Sequence, residues 1–181
     1  MEYKIIIAGS GGQGILFLGS LLAYSGMFAD KEVTWFPSYG AEMRGGTANC
    51  TVIISDEMIG SPVVRNPDIL IVMNLASYNR FSERIIEDGL LIYNSSLVSV
   101  KDIRKDIKAI PVPATDIASS FKNVNLANMV MAGAFTAVTK IFTVETILKA
   151  IEFITPSHRK SYLDINKELI IKGYNLTNNT L

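Results

Sequence analysis

The stretch Ile5-Ile6-Ile7-Ala8-Gly9-Ser10-Gly11-Gly12-Gln13-Gly14 decides the fold class of this 181-residue chain. A short run of β-branched residues that ends in glycines is typical of a buried parallel strand. From residue 15 to about residue 28, apolar side chains cover most of the circumference of a helix, which predicts a helix buried on more than one side. Strand, glycine turn and helix together indicate the start of an α/β domain.

Five further segments have the composition of strands. They are residues 33–36, 47–54, 69–73, 90–93 and 109–112. Only about ten residues separate the second strand from the third, too few for a crossover helix, so we expect these two strands to pair antiparallel. The alternation of strands and helices predicts a single three-layer α/β domain over residues 1–181, with a mixed, mainly parallel sheet.

The C-terminal third of the chain has helical periodicity. Asn125 is placed to cap a helix over residues 126–141, and Thr143 is placed to cap the next one. A final amphipathic helix carries Tyr162, Ile165 and Leu169, and Gly173 is a plausible C-cap for it.

Composition restricts the classes of function. The 17 Lys and Arg residues balance the 17 Asp and Glu residues, so no basic surface indicates nucleic acid or an anionic membrane. No run reaches the ~18 apolar residues of a membrane-spanning helix. The single cysteine, Cys50, excludes an internal disulfide and fits a reducing cytoplasm. It also excludes an iron–sulfur cluster held by this chain alone, because such clusters usually need four cysteine ligands.

The first glycine cluster has the spacing of a dinucleotide-binding turn, with glycines at positions 9, 11 and 14. Such a turn aims the free amides and the positive dipole end of the following helix at an anion. The alternative is a tight strand–helix turn that binds nothing. A nicotinamide-binding domain also places an acidic residue at the end of its second strand. Here that strand ends in Phe36-Pro37-Ser38-Tyr39, and Glu42 lies too far into the loop, which argues against nicotinamide.

The second glycine-rich loop contains a cation, Arg44, next to Gly45-Gly46. An arginine offers a planar fork of donors that suits carboxylate or phosphate, and glycines let another backbone or a phosphate approach. The alternative is an ion pair between Arg44 and Glu42 within the loop. Neutral side chains placed to add hydrogen bonds are Gln13, Ser38, Tyr39 and Thr47.

Taken together, Gly9-Ser10-Gly11-Gly12-Gln13-Gly14 and Pro37-Ser38-Tyr39-Gly40-Ala41-Glu42-Met43-Arg44-Gly45-Gly46 resemble the paired motifs of one family. They are similar to the gamma subunits of 2-oxoacid:ferredoxin oxidoreductases, especially the 2-oxoglutarate and 2-oxoisovalerate types. The similarity runs the full length, through Asn66-Pro67-Asp68 and Leu126-Ala127-Asn128-Met129.

The resemblance implies an enzyme subunit that is inactive alone. The family decarboxylates a 2-oxoacid on thiamine diphosphate, passes electrons through iron–sulfur clusters to ferredoxin, and transfers the acyl group to coenzyme A. The implied partners are thiamine-binding alpha and beta subunits, which hold the thiamine diphosphate, and a ferredoxin-like delta subunit with the clusters. The sequence does not say which 2-oxoacid is used, nor the subunit stoichiometry.

The resemblance also implies a shared coenzyme A site on this chain, with no catalytic residue. The residues it implicates are Gly9, Ser10, Gly11, Gly12, Gln13, Gly14, Ser38, Tyr39, Arg44, Gly45, Gly46 and Thr47. Two other functions stay open from the sequence: a free-standing nucleotide-binding dehydrogenase, and an interaction protein whose glycine loops only contact a partner.

Overall fold

A computed structural model describes residues 1–38 and 47–179 of the chain. The strands are β1 (Glu2–Ser10), β2 (Glu32–Ser38), β3 (Thr47–Ser55), β4 (Ile69–Val72), β5 (Leu90–Asn94) and β6 (Lys108–Val112). The helices are α1 (Ile15–Phe28), α2 (Leu75–Phe81), α3 (Ala114–Ser120), α4 (Ala127–Thr139), α5 (Val144–Ile154) and α6 (Leu163–Asn178). Short 3-10 turns cover Ser82–Arg84, Val124–Leu126 and Ser157–Tyr162.

The strands form one mixed sheet in the order β2-β3-β1-β4-β5-β6. The neighbouring pairs from β1 through β4 and β5 to β6 are parallel. β3 runs antiparallel to both of its neighbours, β1 and β2. The predicted mixed, mainly parallel sheet is therefore confirmed, and so is the antiparallel pairing of the second and third strands.

The two faces of the sheet support two separate hydrophobic clusters, which gives three layers. Alternate residues of β1 point to opposite faces, as the pleat requires. Ile5 and Ile7 join a cluster with buried residues of α1, α4, α5 and α6. Ile6 joins the other cluster, where Phe81 of α2 packs. The helix after β1 therefore covers one face of the sheet, and the helix after β4 covers the other.

The C-terminal helices confirm one predicted cap and correct two others. The Thr143 hydroxyl accepts a hydrogen bond from the Thr146 N–H at 3.3 Å, so it caps α5 as predicted. Asn125 does not cap α4, because Leu126 occupies the N-cap position and no side chain bonds there. Gly173 as a C-cap is also wrong, since it lies buried inside α6.

The physical reason for Gly173 is a close helix crossing. A methyl group at Gly173 would overlap the main chain of Val130 in α4, and one at Gly133 would overlap the main chain of Ile170 in α6. Both glycines therefore let α4 and α6 touch backbone to backbone. Among the helices of the described residues, none is both long enough and apolar enough to span a bilayer.

Candidate functional site

The carboxyl ends of the parallel strands lie along one edge of the sheet, and the predicted glycine turn is at this edge. β1 ends at Ser10, β4 is followed by Asn74, and β5 ends at Asn94. Because α1 and α2 leave to opposite faces, a crevice opens between the ends of β1 and β4. Open α/β sheets bind ligands at such a switch point.

The glycine turn has the backbone geometry that its sequence predicts. Gly12 has a φ of +88° and Gly14 a φ of +69°, which is the left-handed region that favours glycine. Gly14 is the N-cap of α1, and no side chain caps the helix there. A methyl group at Gly11 or Gly12 would meet no atom within 4 Å, so space is open above this backbone. A methyl group at Gly14 itself would meet Asn128 Nδ2, so the open space lies above Gly11 and Gly12, next to the uncapped helix start. Such a place suits an anionic group.

Gly9 has a different role from the other glycines of the turn. It is buried at the end of β1. A methyl group there would lie 2.9 Å from Met73 Cβ and 2.8 Å from Gln13 Oε1. Gly9 therefore allows the end of β1 to pack closely against Met73 and Gln13. Its role is structural, and it does not face the open space above Gly11 and Gly12.

Asn74 links the glycine turn to the end of β4. Its Nδ2 donates to Ser10 Oγ at 2.5 Å and to Gln13 Oε1 at 3.2 Å. Gln13 Oε1 also accepts from the Ser10 N–H at 2.7 Å, and Gln13 Nε2 donates to the Met73 carbonyl at 3.4 Å. The Asn74 Oδ1 accepts from the Ser77 N–H at 2.8 Å and so caps α2. Gln13 is thus held within the protein, and it stabilises the turn.

A second asparagine extends this polar network to β5. Asn94 is fully buried, and its Nδ2 donates to the Met73 carbonyl at 3.4 Å and to Thr115 Oγ1 at 2.8 Å. Its Oδ1 accepts from the Thr115 N–H at 3.3 Å. Hydrogen bonds therefore connect the ends of β1, β4 and β5 with the start of α3, which fixes the crevice in one geometry.

The described residues on either side of the second glycine-rich loop lie at the same edge. In the sheet, Ser10 lies opposite Thr47, and Ser38 lies opposite Asn49, so the end of β2 and the start of β3 lie on the edge that carries the glycine turn. Thr47 is buried, and its Oγ1 accepts a hydrogen bond from Arg80 Nη1 at 2.9 Å. Four of the predicted site residues lie outside the described part of the chain: Tyr39, Arg44, Gly45 and Gly46.

Sequence reasoning missed three residues that organise this edge: Asn74, Arg80 and Asn94. Asn74 carries a usable signal, because an asparagine between a strand and a helical segment is a common N-cap. Arg80 and Asn94 carry none, since only the fold brings them to Thr47 and Thr115.

The described side chains at this edge are suited to binding. They are hydroxyls, amides and one guanidinium, contributed by Ser10, Gln13, Thr47, Asn74, Arg80, Asn94 and Thr115. Within residues 1–38 and 47–179, no three His, Cys, Asp or Glu side chains cluster as metal ligands would. The arrangement can hold and orient an anionic ligand.

Residues 4–176 match the family model for pyruvate ferredoxin/flavodoxin oxidoreductase. The chain belongs to this family. The resemblance inferred from the two glycine motifs is therefore confirmed.

Two relatives of different length match this chain. The ketoisovalerate oxidoreductase subunit VorA of Methanothermobacter thermautotrophicus is 35% identical over 173 residues, which cover 95% of this chain and 36% of VorA. The 2-oxoglutarate synthase subunit KorC of Methanocaldococcus jannaschii is 36% identical over 177 residues, which cover 96% of this chain and 93% of KorC. The chain thus spans about a third of VorA and nearly all of KorC.

Solved structures of the oxidoreductase family share the fold. The gamma subunit of a keto/oxoacid ferredoxin oxidoreductase from Geobacter sulfurreducens has a TM-score of 0.84 at 25% identity, covering 97% of this chain and 98% of that chain. A 2-oxoglutarate:ferredoxin oxidoreductase from Magnetococcus marinus, solved with 2-oxoglutarate, coenzyme A and succinyl-CoA, has a TM-score of 0.89 at 25% identity. That match covers 99% of this chain and 31% of that chain. The fold therefore occurs both as a separate subunit and within a longer chain.

Proposed function

We propose that this chain is the gamma subunit of a 2-oxoacid:ferredoxin oxidoreductase acting on 2-oxoglutarate, and that it helps to bind coenzyme A. Residues 1–181 then form one gamma-type domain. The observation that carries the proposal is the open space above Gly11 and Gly12, next to the uncapped start of α1 at the switch point of the sheet, in a chain of this family. The choice of 2-oxoglutarate rests on KorC, a 2-oxoglutarate synthase subunit that is 36% identical to this chain and matches it over 93% of its own length.

The geometry of the turn fits the diphosphate of coenzyme A. Gly11 and Gly12 leave room for phosphate oxygens to approach the backbone, and the Ser10 side chain is exposed beside them. The first amides of α1 and its positive dipole end then stabilise the negative charge. Arg44 adds a cation from the second loop, whose ends lie beside the turn. The Magnetococcus marinus relative was solved with coenzyme A, which supports this class of ligand.

The thiamine diphosphate and the iron–sulfur clusters that the reaction needs are assigned to partner subunits. Cys50 is buried in β3, and a single cysteine does not fit the ligand set of an iron–sulfur cluster. Thiamine diphosphate then belongs to the alpha and beta subunits, and the clusters that reduce ferredoxin belong to a ferredoxin-like delta subunit. The enzyme is a hetero-oligomer of the reducing cytoplasm, in keeping with the free thiol of Cys50.

The role of this chain in the mechanism is orientation. By holding the diphosphate, the glycine turn presents the thiol of coenzyme A to the acyl group produced on the partner subunits. Correct placement of two reactants can lower a barrier by up to ~7–11 kcal/mol in ideal cases. The network of Ser10, Gln13 and Asn74 keeps the turn in one geometry before coenzyme A arrives.

The experiment compares Gly11→Ala with Gly60→Ala in the assembled enzyme. At both positions the added methyl meets no protein atom within 4 Å, so neither change disturbs the fold by a clash. Only Gly11 lies where the diphosphate would approach. We expect Gly11→Ala to raise the KM for coenzyme A about fivefold, as for the loss of a contact worth ~1 kcal/mol. Gly60→Ala leaves the KM unchanged. An unchanged KM in both variants would refute the coenzyme A site.

A further inference from the structure

A second cleft lies at the far end of α1 from the glycine turn. α1 begins beside Gly14 and ends at Phe28, so about 20 Å of helix separate the two places. The cleft has a volume of about 620 Å³ and opens between the ends of α1 and α4, the first turn of α5 and the last turns of α6. Volumes of about 300–1,000 Å³ are typical of clefts that hold small ligands. This cleft is therefore large enough for a small molecule and does not overlap the glycine turn.

The wall of the cleft is apolar on one part and polar on another. Ile141 and Val144 are half-buried side chains of the apolar part, and Phe142 next to them is buried. The hydroxyls of the polar part belong to Thr136, Thr143, Thr146 and Tyr174. Such a wall suits a ligand that has both an apolar group and hydrogen-bonding groups.

Lys140 brings an ammonium group to the cleft. It is exposed, and its side chain forms no hydrogen bond or ion pair within residues 1–38 and 47–179. Lys31 also lines the cleft, but its ammonium is paired with the Asp56 carboxylate. Lys140 has a φ of +52°, the left-handed conformation that favours glycine at the end of a helix. The chain thus holds a lysine at this place in spite of the backbone strain.

Glu145 brings a carboxylate to the same cleft. It is exposed in the first turn of α5, and no cation pairs with it in the part of the chain that the structure describes. Hydrogen bonds from its own backbone N–H and from the Thr143 hydroxyl hold the pKa of the Glu145 carboxyl below its usual range, so it is ionised at neutral pH. The cleft therefore offers one positive and one negative charge that do not pair with each other.

We infer that this cleft binds a free α-amino acid with an apolar side chain. The carboxylate of the amino acid pairs with Lys140, its ammonium pairs with Glu145, and its side chain lies against Ile141 and Val144. A zwitterion satisfies both charges of the cleft, whereas a simple anion would face Glu145 and a simple cation would face Lys140. The inference goes beyond the proposed function, because this site requires no coenzyme A.

The test titrates leucine, methionine and phenylalanine into the full-length chain by isothermal titration calorimetry. We expect at least one of them to bind with a Kd of about 1 mM or below. For the amino acid that binds, the matching amine without the carboxylate and the matching acid without the amino group bind about tenfold more weakly, as for the loss of one charge-assisted contact. Absence of binding by all three amino acids, or equal binding of the matching acid, would overturn the inference.

Lys140→Gly is compared with Lys122→Gly as its matched control. Both lysines have a positive φ, +52° and +58°, and only Lys140 lines the cleft. Glycine relieves the same kind of backbone strain at both positions, so both variants keep or raise the thermal midpoint. We expect Lys140→Gly to weaken binding of the amino acid about tenfold and Lys122→Gly to leave it unchanged. Equal effects of the two variants on binding would contradict a contact with Lys140.

Glu145→Gln tests the second charge. It weakens binding of the amino acid about tenfold and leaves the affinity for the matching acid unchanged, since that compound has no ammonium group to lose. An unchanged affinity of Glu145→Gln for the amino acid would exclude this contact and, with it, the inferred ligand class.

The same titration on the assembled enzyme tests whether the cleft is open there. We expect the affinity of the chain alone. Binding by the chain alone but not by the assembled enzyme would overturn the inference, since the cleft would then be a subunit contact. Because none of these measurements uses the KM for coenzyme A, failure of the amino acid site leaves the proposed function standing, and failure of Gly11→Ala to raise that KM leaves the amino acid site standing.

Discussion

Asn74 donates a hydrogen bond from its Nδ2 to Ser10 Oγ at 2.5 Å, which joins the end of β4 to the end of β1 across the crevice. The direction of this donor is fixed, because the Oδ1 of the same amide caps α2 through the Ser77 N–H. One side chain therefore sets both the start of a helix and the shape of the glycine turn. Sites whose side chains are held in this way lose little entropy on binding.

Replacing Asn74 with serine separates these two roles. A serine oxygen still caps α2, but the donor to Ser10 and Gln13 is lost. We expect Asn74→Ser to raise the KM for coenzyme A by about two- to tenfold, the effect of one hydrogen bond worth ~0.5–1.5 kcal/mol. Its thermal midpoint stays near that of the wild type, whereas Asn74→Ala lowers it. A wild-type KM in Asn74→Ser would show that the turn does not need this contact.

Arg44→Ala is expected to weaken coenzyme A binding in the assembled enzyme. The loss of a charge-assisted contact to phosphate, worth ~1.5–3 kcal/mol, raises the KM for coenzyme A more than tenfold. Arg44→Lys recovers part of the affinity, because lysine keeps the charge but lacks the planar fork. Steady-state kinetics at saturating 2-oxoacid provide the measurement. An unchanged coenzyme A dependence in Arg44→Ala would exclude the ligand contact, and loss of subunits would place Arg44 at an interface.

The crossing of α4 and α6 does not tolerate a side chain at its two glycines. A methyl group at Gly133 would lie 2.7 Å from the Tyr174 nitrogen as well as against Ile170. Because the obstacle is backbone, the helices must separate, and we expect Gly133→Ala to lower the free energy of unfolding by ~1–3 kcal/mol or more. We expect Gly173→Ala to lower the free energy of unfolding by a similar amount. Urea titration is the measurement, with Gly60→Ala as the open-space control. Equal stability of all three variants would contradict the crossing.

Cys50 is expected to be unreactive in the folded protein. Burial raises the pKa of its thiol from 9.0 to about 12. Only the thiolate is nucleophilic, so at about pH 8 the folded protein should react with an aromatic disulfide reagent far more slowly than the urea-unfolded chain. Because the folded state keeps the proton, stability falls as the pH rises through the window from 9.0 to about 12. Equal reaction rates for folded and unfolded protein would contradict the burial of this thiol.

Much of the fold follows from local patterns in the sequence. The run Ile5-Ile6-Ile7 predicts the buried strand, and Thr143 predicts the start of α5. The prediction of Gly173 as a C-cap is wrong because glycine is equally suited to the end of a helix and to a close crossing of two helices. The sequence analysis does not predict α3, because in this seven-residue helix only Ala114, Ile117 and Ala118 follow a helical spacing, and two of these are small.

Only those parts of the candidate site that are formed by residues close together in the sequence are predictable. The positive φ angles of Gly12 and Gly14 follow from a glycine-rich turn between a strand and a helix. The partners of Asn74 and Arg80 do not, because Ser10 is 64 residues from Asn74 and Thr47 is 33 residues from Arg80.

The most direct measurement is to tag this chain in its native host, purify it gently, and identify the proteins that accompany it by mass spectrometry. The purified assembly is then assayed for ferredoxin reduction with 2-oxoglutarate, 2-oxoisovalerate and pyruvate, with and without coenzyme A. We predict recovery of a thiamine-binding subunit and a cysteine-rich ferredoxin-like subunit, and coenzyme A-dependent activity that is highest with 2-oxoglutarate. Recovery of the chain alone, or an assembly that oxidises no 2-oxoacid, would contradict the proposed function.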